Sequence, residues 1–344
     1  MYLNLPKADI HHHLCGAFDI DLLYDISERL SIPLRLSREE YRGLQKNFSC
    51  LTDLLTMIDL GMESLVSPAV LHDLVYHSFS KYSEQSVVYV ESAINIRVFQ
   101  SSHFSISQAV NALSEAASRL LSVNGLKVNF LLEYNRCLDI DTQMNTLNSM
   151  YTYNTHFRGV AVASDEFKNP SRNLKPLYDQ ARVYGFCGPD GKYATAHSGE
   201  ETPSSYVQET LDYLGVIRID HGIRAFEDPL LINRIVNEKI GLAMAPISNR
   251  MLKVLDRFCG GKWIFGDVYK RGCRISINSD DPGCNGTTLN DNFNEFYTLY
   301  EGSDKDEAVL NVLKNGFLTS FLDESEKNEW IQKIDKQVLE SSKT

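Results

Sequence analysis

Short apolar stretches alternate with amphipathic segments along most of the chain. Eight of the stretches are rich in Val, Ile, Tyr and Ala and predict β-strands, whereas segments such as 105–123 and 206–214 have helical periodicity. Eight strands separated by helices predict an α/β fold, a (β/α)8 barrel of the TIM type. A doubly wound sheet is the competing topology, but no G-x-G-x-x-G motif follows the first strand. The predicted strands cover residues 7–14, 87–96, 127–134, 158–164, 192–197, 216–221, 240–246 and 274–280.

The connection after the first predicted strand, residues 15–86, is unusually long. We expect it to form a helical insertion over the barrel mouth, and residues 304–340 to form two or three helices that close the barrel's outside. No internal repeat or Pro/Gly linker divides the chain, which predicts a single domain over residues 1–344. The helices expected in the insertion cover residues 20–30, 42–45, 51–60 and 69–84.

Composition and charge narrow the class of partner. The 344 residues are 43% hydrophobic and 23% charged, as in ordinary globular proteins. A formal charge of -11 argues against nucleic acid or an anionic membrane and leaves a small molecule and water as partners. Seven scattered cysteines without C-x-x-C spacing indicate reduced thiols. Neither a signal peptide nor an apolar run of about 20 residues is present, so we expect a cytoplasmic protein.

Three consecutive histidines mark the end of the first predicted strand. Because alternate side chains of a strand share a face, His11 and His13 can reach one metal ion together. His12 then points the other way, towards the surrounding helices. His11 or His13 alone would more simply be a polar residue of the barrel rim. The prediction of a metal site therefore depends on ligands from other strands.

Other strand ends supply those ligands, and in a barrel of this type the chemistry lies at the carboxyl ends of the strands. His197 ends the fifth predicted strand, His221 ends the sixth, and Asp280 and Asp281 end the eighth. Imidazoles with one carboxylate suit zinc, although iron, cobalt and manganese accept the same donors. The sequence predicts one zinc ion per chain, held by His11, His13, His197 and Asp280.

Two further residues suit acid–base chemistry. Glu200 follows His197 by three residues, and we expect it on the first turn of the next helix, where it can pass a proton to a substrate. A bound metal lowers the pKa of its water to about 7, and His221 can orient that water or accept its proton. Simpler roles exist: Glu200 could offset a helix dipole, and residues 280–283 form a good turn. The remaining histidines lack clustered partners and are expected to be solvated or packed: His72, His77, His103 and His156.

Six segments of the chain carry motifs of a known family. On these motifs the chain resembles the adenosine deaminase family of purine aminohydrolases, from Leu5 to about Leu322. Each motif alone is modestly specific, but six in the family's order are a strong resemblance. The segments are 5–14 (LPKADIHHHL), 163–166 (ASDE), 196–200 (AHSGE), 218–222 (RIDHG), 244–249 (MAPISN) and 276–282 (SINSDDP).

The resemblance implies a (β/α)8 barrel and the same four zinc ligands. It also implies that Glu200 protonates purine N1 as water attacks C6, that His221 orients or deprotonates the water, and that Asp281 hydrogen-bonds to N7. Zinc deaminases of a different fold carry H-x-E and P-C-x-x-C motifs. Neither motif occurs in this chain, which excludes that class.

Two positions depart from the family pattern, and both bear on the substrate, which His13 also borders. Cys15 stands where adenosine deaminases have an acidic residue that meets the 5′-hydroxyl of the sugar. A thiol is a weak acceptor, so a buried hydroxyl there would lose about 1–2 kcal/mol of binding. Ser164 stands where the family has a glycine whose backbone approaches N3, and its extra atoms narrow that approach.

The sequence therefore predicts zinc-dependent hydrolytic deamination at C6 of an adenine-type nucleoside, either adenosine or a 5′-modified analogue. Ammonia and an inosine-type product would result. Deamination of a free base such as adenine, or of another amino-heterocycle such as a pterin, is the alternative reaction. A non-catalytic nucleoside-binding protein is the alternative of a different class, and the complete set of ligands together with Glu200 argues against it.

Overall fold

Eight parallel strands form the centre of the computed structural model, which describes residues 2–189 and 192–341. Strands β1 to β4 pair in chain order in one sheet, and β5 to β8 pair in chain order in a second. The strands are β1 Lys7–His13, β2 Val87–Asn95, β3 Lys127–Asn135, β4 Gly159–Ala163, β5 Thr195–Ser198, β6 Arg218–His221, β7 Gly241–Met244 and β8 Arg274–Ile277.

Short backbone contacts at two seams join these sheets into a closed barrel. Between β4 and β5, the amide of Val160 donates to the carbonyl of Tyr193 at 3.0 Å. Between β8 and β1, the amide of His13 donates to the carbonyl of Asp280 at 3.0 Å, and the amide of Asp280 donates to the carbonyl of His11 at 3.0 Å. The predicted (β/α)8 barrel is confirmed, and its second seam brings Asp280 beside the two histidines.

Helices surround the barrel and fill the long connection after β1. No helix among the described residues is both long and apolar enough to cross a membrane. The helices are α1 Ile20–Leu30, α2 Arg38–Asn47, α3 Leu51–Glu63, α4 Pro68–Ser80, α5 Ile106–Arg119, α6 Ile140–Ser149, α7 Ser171–Val183, α8 Ser204–Leu214, α9 Pro229–Asn237, α10 Pro246–Met251, α11 Val254–Phe258, α12 Phe265–Lys270, α13 Pro282–Asn285, α14 Leu289–Leu299, α15 Lys305–Leu318 and α16 Glu324–Ser341.

Some predicted boundaries were wrong, each for a local reason. The seventh strand was predicted to reach residue 246, but it ends at Met244 because Pro246 opens α10, a position where its fixed φ suits a helix. The helix predicted over residues 42–45 extends from Arg38 to Asn47. It begins earlier because Ser37 and Glu40 form a capping box, in which each side chain accepts from the other's backbone amide.

Two helices outside the strands pack directly against the barrel. Helix α3 of the insertion packs so closely on the turn after β1 that a Cβ at Gly61 would lie 2.6 Å from the carbonyl oxygen of Cys15. Helix α15 crosses the seam between β8 and β1, where Asn315 Nδ2 donates to the carbonyl of Ile275 at 3.0 Å. The C-terminal region thus forms two helices that cover the barrel's outside. All seven cysteines are free thiols.

Candidate active site

Four donor atoms from three strand ends converge at one point of the barrel mouth. Nε2 of His11 and Nε2 of His13 each lie 3.1 Å from Nε2 of His197. Both also lie 3.3 Å from Oδ1 of Asp280. Four ligands at tetrahedral positions around zinc are about 3.3 Å apart, given ligand distances of roughly 2.0–2.2 Å. Because the three Nε2 atoms and Oδ1 of Asp280 turn their lone pairs towards one another, the arrangement suits a cation between them.

Neighbouring acceptors turn the ligand rings towards this point. Nδ1 of His13 donates to Oε2 of Glu133 at 2.6 Å, and Nδ1 of His11 donates to the carbonyl of Ala243 at 2.8 Å. Such bonds at Nδ1 leave Nε2 free to bind a metal and make the ring a better ligand. The cluster is almost completely buried. The residues predicted as ligands are therefore brought together as a candidate metal site.

Strained backbone accompanies this cluster. His221 has φ 64°, Asp280 has φ 64° and Ser164 has φ 81°, a region that non-glycine residues seldom adopt. Each lies at or just beyond a strand end, so the strain aims side chains into the barrel mouth. Residues held this way cost about 1–3 kcal/mol each and concentrate at functional sites.

Glu200 lies in the loop that precedes α8, rather than on the first turn of that helix as predicted. The helix begins only at Ser204, because the backbone amides of residues 200–202 instead donate to the carboxylate of Glu166. The loop points the Glu200 side chain into the barrel, where it is 6% exposed. Burial, reinforced by the carboxylate of Asp280, raises the pKa of Glu200 well above its usual value.

Asn249 links Glu200 to His221. Its Nδ2 donates to Oε1 of Glu200 at 2.8 Å and to Nδ1 of His221 at 3.1 Å. Since Nδ1 accepts this bond, the neutral ring carries its proton on Nε2, which lies 3.5 Å from Oε2 of Glu200. Burial lowers the pKa of His221 well below its usual value, which keeps the ring neutral. His221 also lies within 4.8 Å of three of the converging donors.

Asp281 presents an unpaired oxygen beside the metal cluster. No group among the described residues hydrogen-bonds to its Oδ1, although the side chain is buried. Burial and the adjacent Asp280 raise the pKa of Asp281 well above its usual value, which favours the protonated carboxyl. The backbone leaves room for it only because residue 16 is glycine: a Cβ there would lie 1.6 Å from Oδ1 of Asp281.

A cavity of about 170 Å³ extends from the cluster towards the insertion. Its inner end is polar, whereas its ceiling is apolar and comes mainly from α3. Both residues that depart from the family pattern, Cys15 and Ser164, line it, and Oγ of Ser164 lies 3.3 Å from Sγ of Cys137. The ceiling side chains are Leu51, Leu54, Leu55, Ile58 and Met62.

Comparison with known proteins agrees with this geometry. A family model described as adenosine deaminase matches residues 6–337. The chain belongs to the adenosine deaminase family. An adenine deaminase of Acinetobacter baylyi is 31% identical over 96% of both chains, and one of Pseudomonas putida is 32% identical over 89% of this chain and 95% of its own. This family member is a hydrolytic deaminase that acts on adenine-type substrates.

Solved structures support the same fold. The crystal structure of adenine deaminase from Arthrobacter aurescens has a TM-score of 0.87 and 25% identity, and covers 97% of this chain and 99% of that one. An amidohydrolase from Burkholderia ambifaria, solved with bound Zn, has a TM-score of 0.87 at 19% identity and covers 100% of this chain and 94% of its own. The second likeness concerns the fold alone.

The structure of this deaminase also reveals three side chains that the sequence reasoning did not assign to the site. They are Glu133, Glu166 and Asn249, and each contacts a predicted site residue rather than the cavity centre. Glu166 and Asn249 lie within the family motifs, and membership in those motifs could have marked them as site residues. Glu133 lies within the apolar run of β3, where a lone carboxylate is a signal only once the barrel brings it to His13.

Proposed function

We propose that this protein is a zinc-dependent adenine deaminase, which hydrolyses the free base adenine to hypoxanthine and ammonia. This substrate replaces the nucleoside that the sequence favoured. The size of the cavity carries the proposal. Its volume of about 170 Å³ resembles the cavity of roughly 150 Å³ that holds one benzene ring in another protein. Pockets for larger ligands usually measure about 300–1,000 Å³.

The chemistry of the ceiling supports the same substrate. A ribose beneath α3 would meet leucine, isoleucine and methionine side chains together with Asp59, whose Oδ1 is already paired with Arg97. Each hydroxyl left without a partner costs about 1–3 kcal/mol. Cys15 offers only a buried thiol near the cavity, and burial raises its pKa far above the usual value, which keeps it uncharged. Relatives at 31% and 32% identity are adenine deaminases, which agrees with the free base.

Zinc is the proposed metal because three imidazole nitrogens and one carboxylate oxygen match its preferred donors and spacing. His11, His13, His197 and Asp280 would hold it. Zinc bound there would act as a Lewis acid and bring the pKa of a water molecule to about 7. The hydrogen bonds from Nδ1 of His13 to Glu133 and from Nδ1 of His11 to the carbonyl of Ala243 keep two of the four donors directed at the metal position.

Proton transfer falls to Glu200 in this proposal. Burial raises the pKa of Glu200, which favours the protonated carboxyl that can give a proton to N1 as water adds to C6. The resulting carboxylate then accepts a proton from the added water and passes it to the amino group, which leaves as ammonia. The water's second proton restores Glu200 as the C6 carbonyl forms, so the reaction is balanced.

His221 and Asp281 orient the reactants. With its proton on Nε2, His221 donates a hydrogen bond to the attacking water and fixes its direction, rather than removing its proton. Asp281 donates to N7 of the purine from its protonated form, which the raised pKa favours, through the carboxyl oxygen that has no partner among the described residues. Both contacts place C6 of adenine next to the water.

The test uses purified protein loaded with one zinc per chain and follows hypoxanthine formation from adenine. We expect turnover by the wild type and a loss of at least about 10²-fold in kcat for Glu200→Gln, since a positioned acid–base group contributes 10²–10⁴-fold. Glu201→Gln is the matched control, because that side chain pairs with Arg257 outside the cavity. Absence of hypoxanthine from the zinc-loaded wild type contradicts the proposed reaction, and a fully active Glu200→Gln contradicts the assignment of the proton carrier.

A further inference from the structure

The active-site cavity and a larger outer cleft share one wall. The outer cleft has a volume of about 410 Å³ and lies beside the insertion. Three side chains line both spaces: Asp59 and Met62 from α3, and Arg97 from the short helical turn Ile96–Gln100 that follows β2. None of the four proposed zinc ligands lines the outer cleft. The shared wall therefore separates the active-site cavity from the outer cleft and contains none of the proposed ligands.

An ion pair closes this wall. Nη1 of Arg97 donates to Oδ1 of Asp59 at 2.6 Å, joining the insertion to the loop after β2. The pair joins two separate segments of chain, so at this point the wall between the two spaces is formed by side chains. Asp59 is also within 3.6 Å of Arg35, whose main partner is Glu63 at 2.5 Å on the outer side.

Hydrogen bonds anchor Arg97 to the catalytic centre. Its backbone amide donates to Oδ1 of Asn95 at 3.2 Å, and Nδ2 of Asn95 donates to Oε1 of Glu133 at 3.1 Å. The other oxygen of Glu133 accepts from His13 at 2.6 Å. The backbone of Arg97 is thus held, through Asn95, by the carboxylate of Glu133 that also orients His13. A substitution at Arg97 therefore changes the side chain in the wall and keeps this backbone contact.

We propose that the Asp59–Arg97 ion pair determines substrate specificity by excluding purines that carry a substituent on N9. This inference rests on the proposed deamination of adenine. When C6 faces the metal cluster, N9 is among the ring atoms farthest from it, so a substituent on N9 needs space beyond the small cavity. The outer cleft, which the shared wall separates from the cavity, is the adjoining space of sufficient size. Behind that wall the outer cleft offers volume and polar side chains, including Arg35, Ser101 and His103, that suit a sugar.

The experiment measures kcat/KM for adenine, 9-methyladenine and adenosine with zinc-loaded wild type, Arg97→Ala and Asp59→Ala. Arg97→Ala keeps the backbone amide that bonds to Asn95, so the support of His13 stays intact. We expect the ratio of kcat/KM for adenosine to that for adenine to rise at least about tenfold in both variants, since steric discrimination by a pocket is commonly worth 10–200-fold. The ratio for 9-methyladenine should rise as well.

Two further variants make the outcome decisive. Glu63→Gln alters an ion pair that lines only the outer cleft, and it should leave the ratio unchanged. Met62→Ala removes bulk from the shared wall without touching the ion pair, and it should raise the ratio. If the ratio of kcat/KM for adenosine to that for adenine is unchanged in folded Arg97→Ala, the inference is overturned. If Arg97→Ala does not fold, an unchanged ratio in Met62→Ala overturns it instead. If the wild type deaminates adenine but the ratio does not change in the variants, only the role of the shared wall in specificity is rejected. If the wild type does not deaminate adenine, the proposed function itself is rejected.

Discussion

At the scale of single residues, one buried carboxylate fixes the loop that carries Glu200. Glu166 accepts hydrogen bonds from the backbone amides of Glu200, Glu201 and Thr202 at 3.3, 3.2 and 2.9 Å. It also accepts from Oγ1 of Thr202 at 2.6 Å. The far end of the Glu200 side chain is held by Asn249. Glu200 is therefore positioned from both its backbone and its carboxyl group.

Glu166→Gln should lower kcat for adenine on the order of 10²-fold with little change in KM, because small displacements of a catalytic group cost about that much. Glutamine would present an NH2 group where one carboxylate oxygen now accepts amide hydrogens. Asp165→Asn is the matched control, since among the described residues the Asp165 side chain accepts a hydrogen bond only from the amide of Phe167 in a neighbouring turn. Steady-state kinetics on both variants check this, and an unaltered kcat in folded Glu166→Gln would refute the positioning role.

The local sequence pattern was sufficient to predict the position of some of the site residues. Alternation along β1 placed His11 and His13 on one face, and His12 indeed points away: it bonds to Ser92 and Tyr82 at 3.0 and 2.6 Å. Side chains that act through another residue were not predictable in this way. Glu133 and His13 are 120 positions apart, so their contact exists only once the barrel has formed.

At the scale of elements, helix α3 determines the shape of the substrate cavity. Its apolar face forms the ceiling, and Gly61 lets its backbone approach the turn at Cys15. The sequence predicted this helix from residue 51 to 60, whereas it continues to Glu63. Apolar periodicity indicates that a helix has a buried face but not which surface covers it. The role of α3 as a ceiling therefore could not be inferred from the periodicity.

Gly61→Ala should destabilise the protein even though alanine is a better helix former. The new Cβ would lie 2.6 Å from a backbone oxygen that cannot yield by rotating, so α3 must shift. Gly43→Ala in α2 is the matched control, because nothing lies within 4 Å of its Cβ position. We expect the control to gain about 0.5–1 kcal/mol from helix propensity. Urea unfolding of both variants measures the difference, and equal stabilisation would contradict the close packing of α3.

At the scale of the whole molecule, the metal site depends on barrel closure. Its proposed ligands come from β1, from β5 and from the segment after β8, and the seam between β8 and β1 brings Asp280 to the histidines. The order of apolar stretches was enough to predict the barrel, because repeated strand–helix units have few compact arrangements. The exact strand ends were less predictable, since the strained residue Asp280 lies beyond β8 rather than within it.

Removal of the metal should therefore lower the stability of the whole barrel. A metal that binds only the folded state at 1,000 times its Kd stabilises it by about 4.1 kcal/mol. We expect chelator-treated protein to unfold at a lower temperature and zinc to restore the original Tm. His197→Ala, which lacks one donor, should show a much smaller response to zinc. An identical Tm with and without bound zinc, verified by metal analysis, would speak against a site that links the strands.

The central claim is that the cavity accepts adenine and excludes its nucleoside. Its most direct test is the ratio of kcat/KM for adenine to that for adenosine, measured on zinc-loaded wild-type protein under one set of conditions. A ribose that buries even two unpaired hydroxyls loses roughly 2–6 kcal/mol, so we predict a ratio of at least about 10². A ratio of one or below, with adenosine deaminated as readily as adenine, would contradict the account.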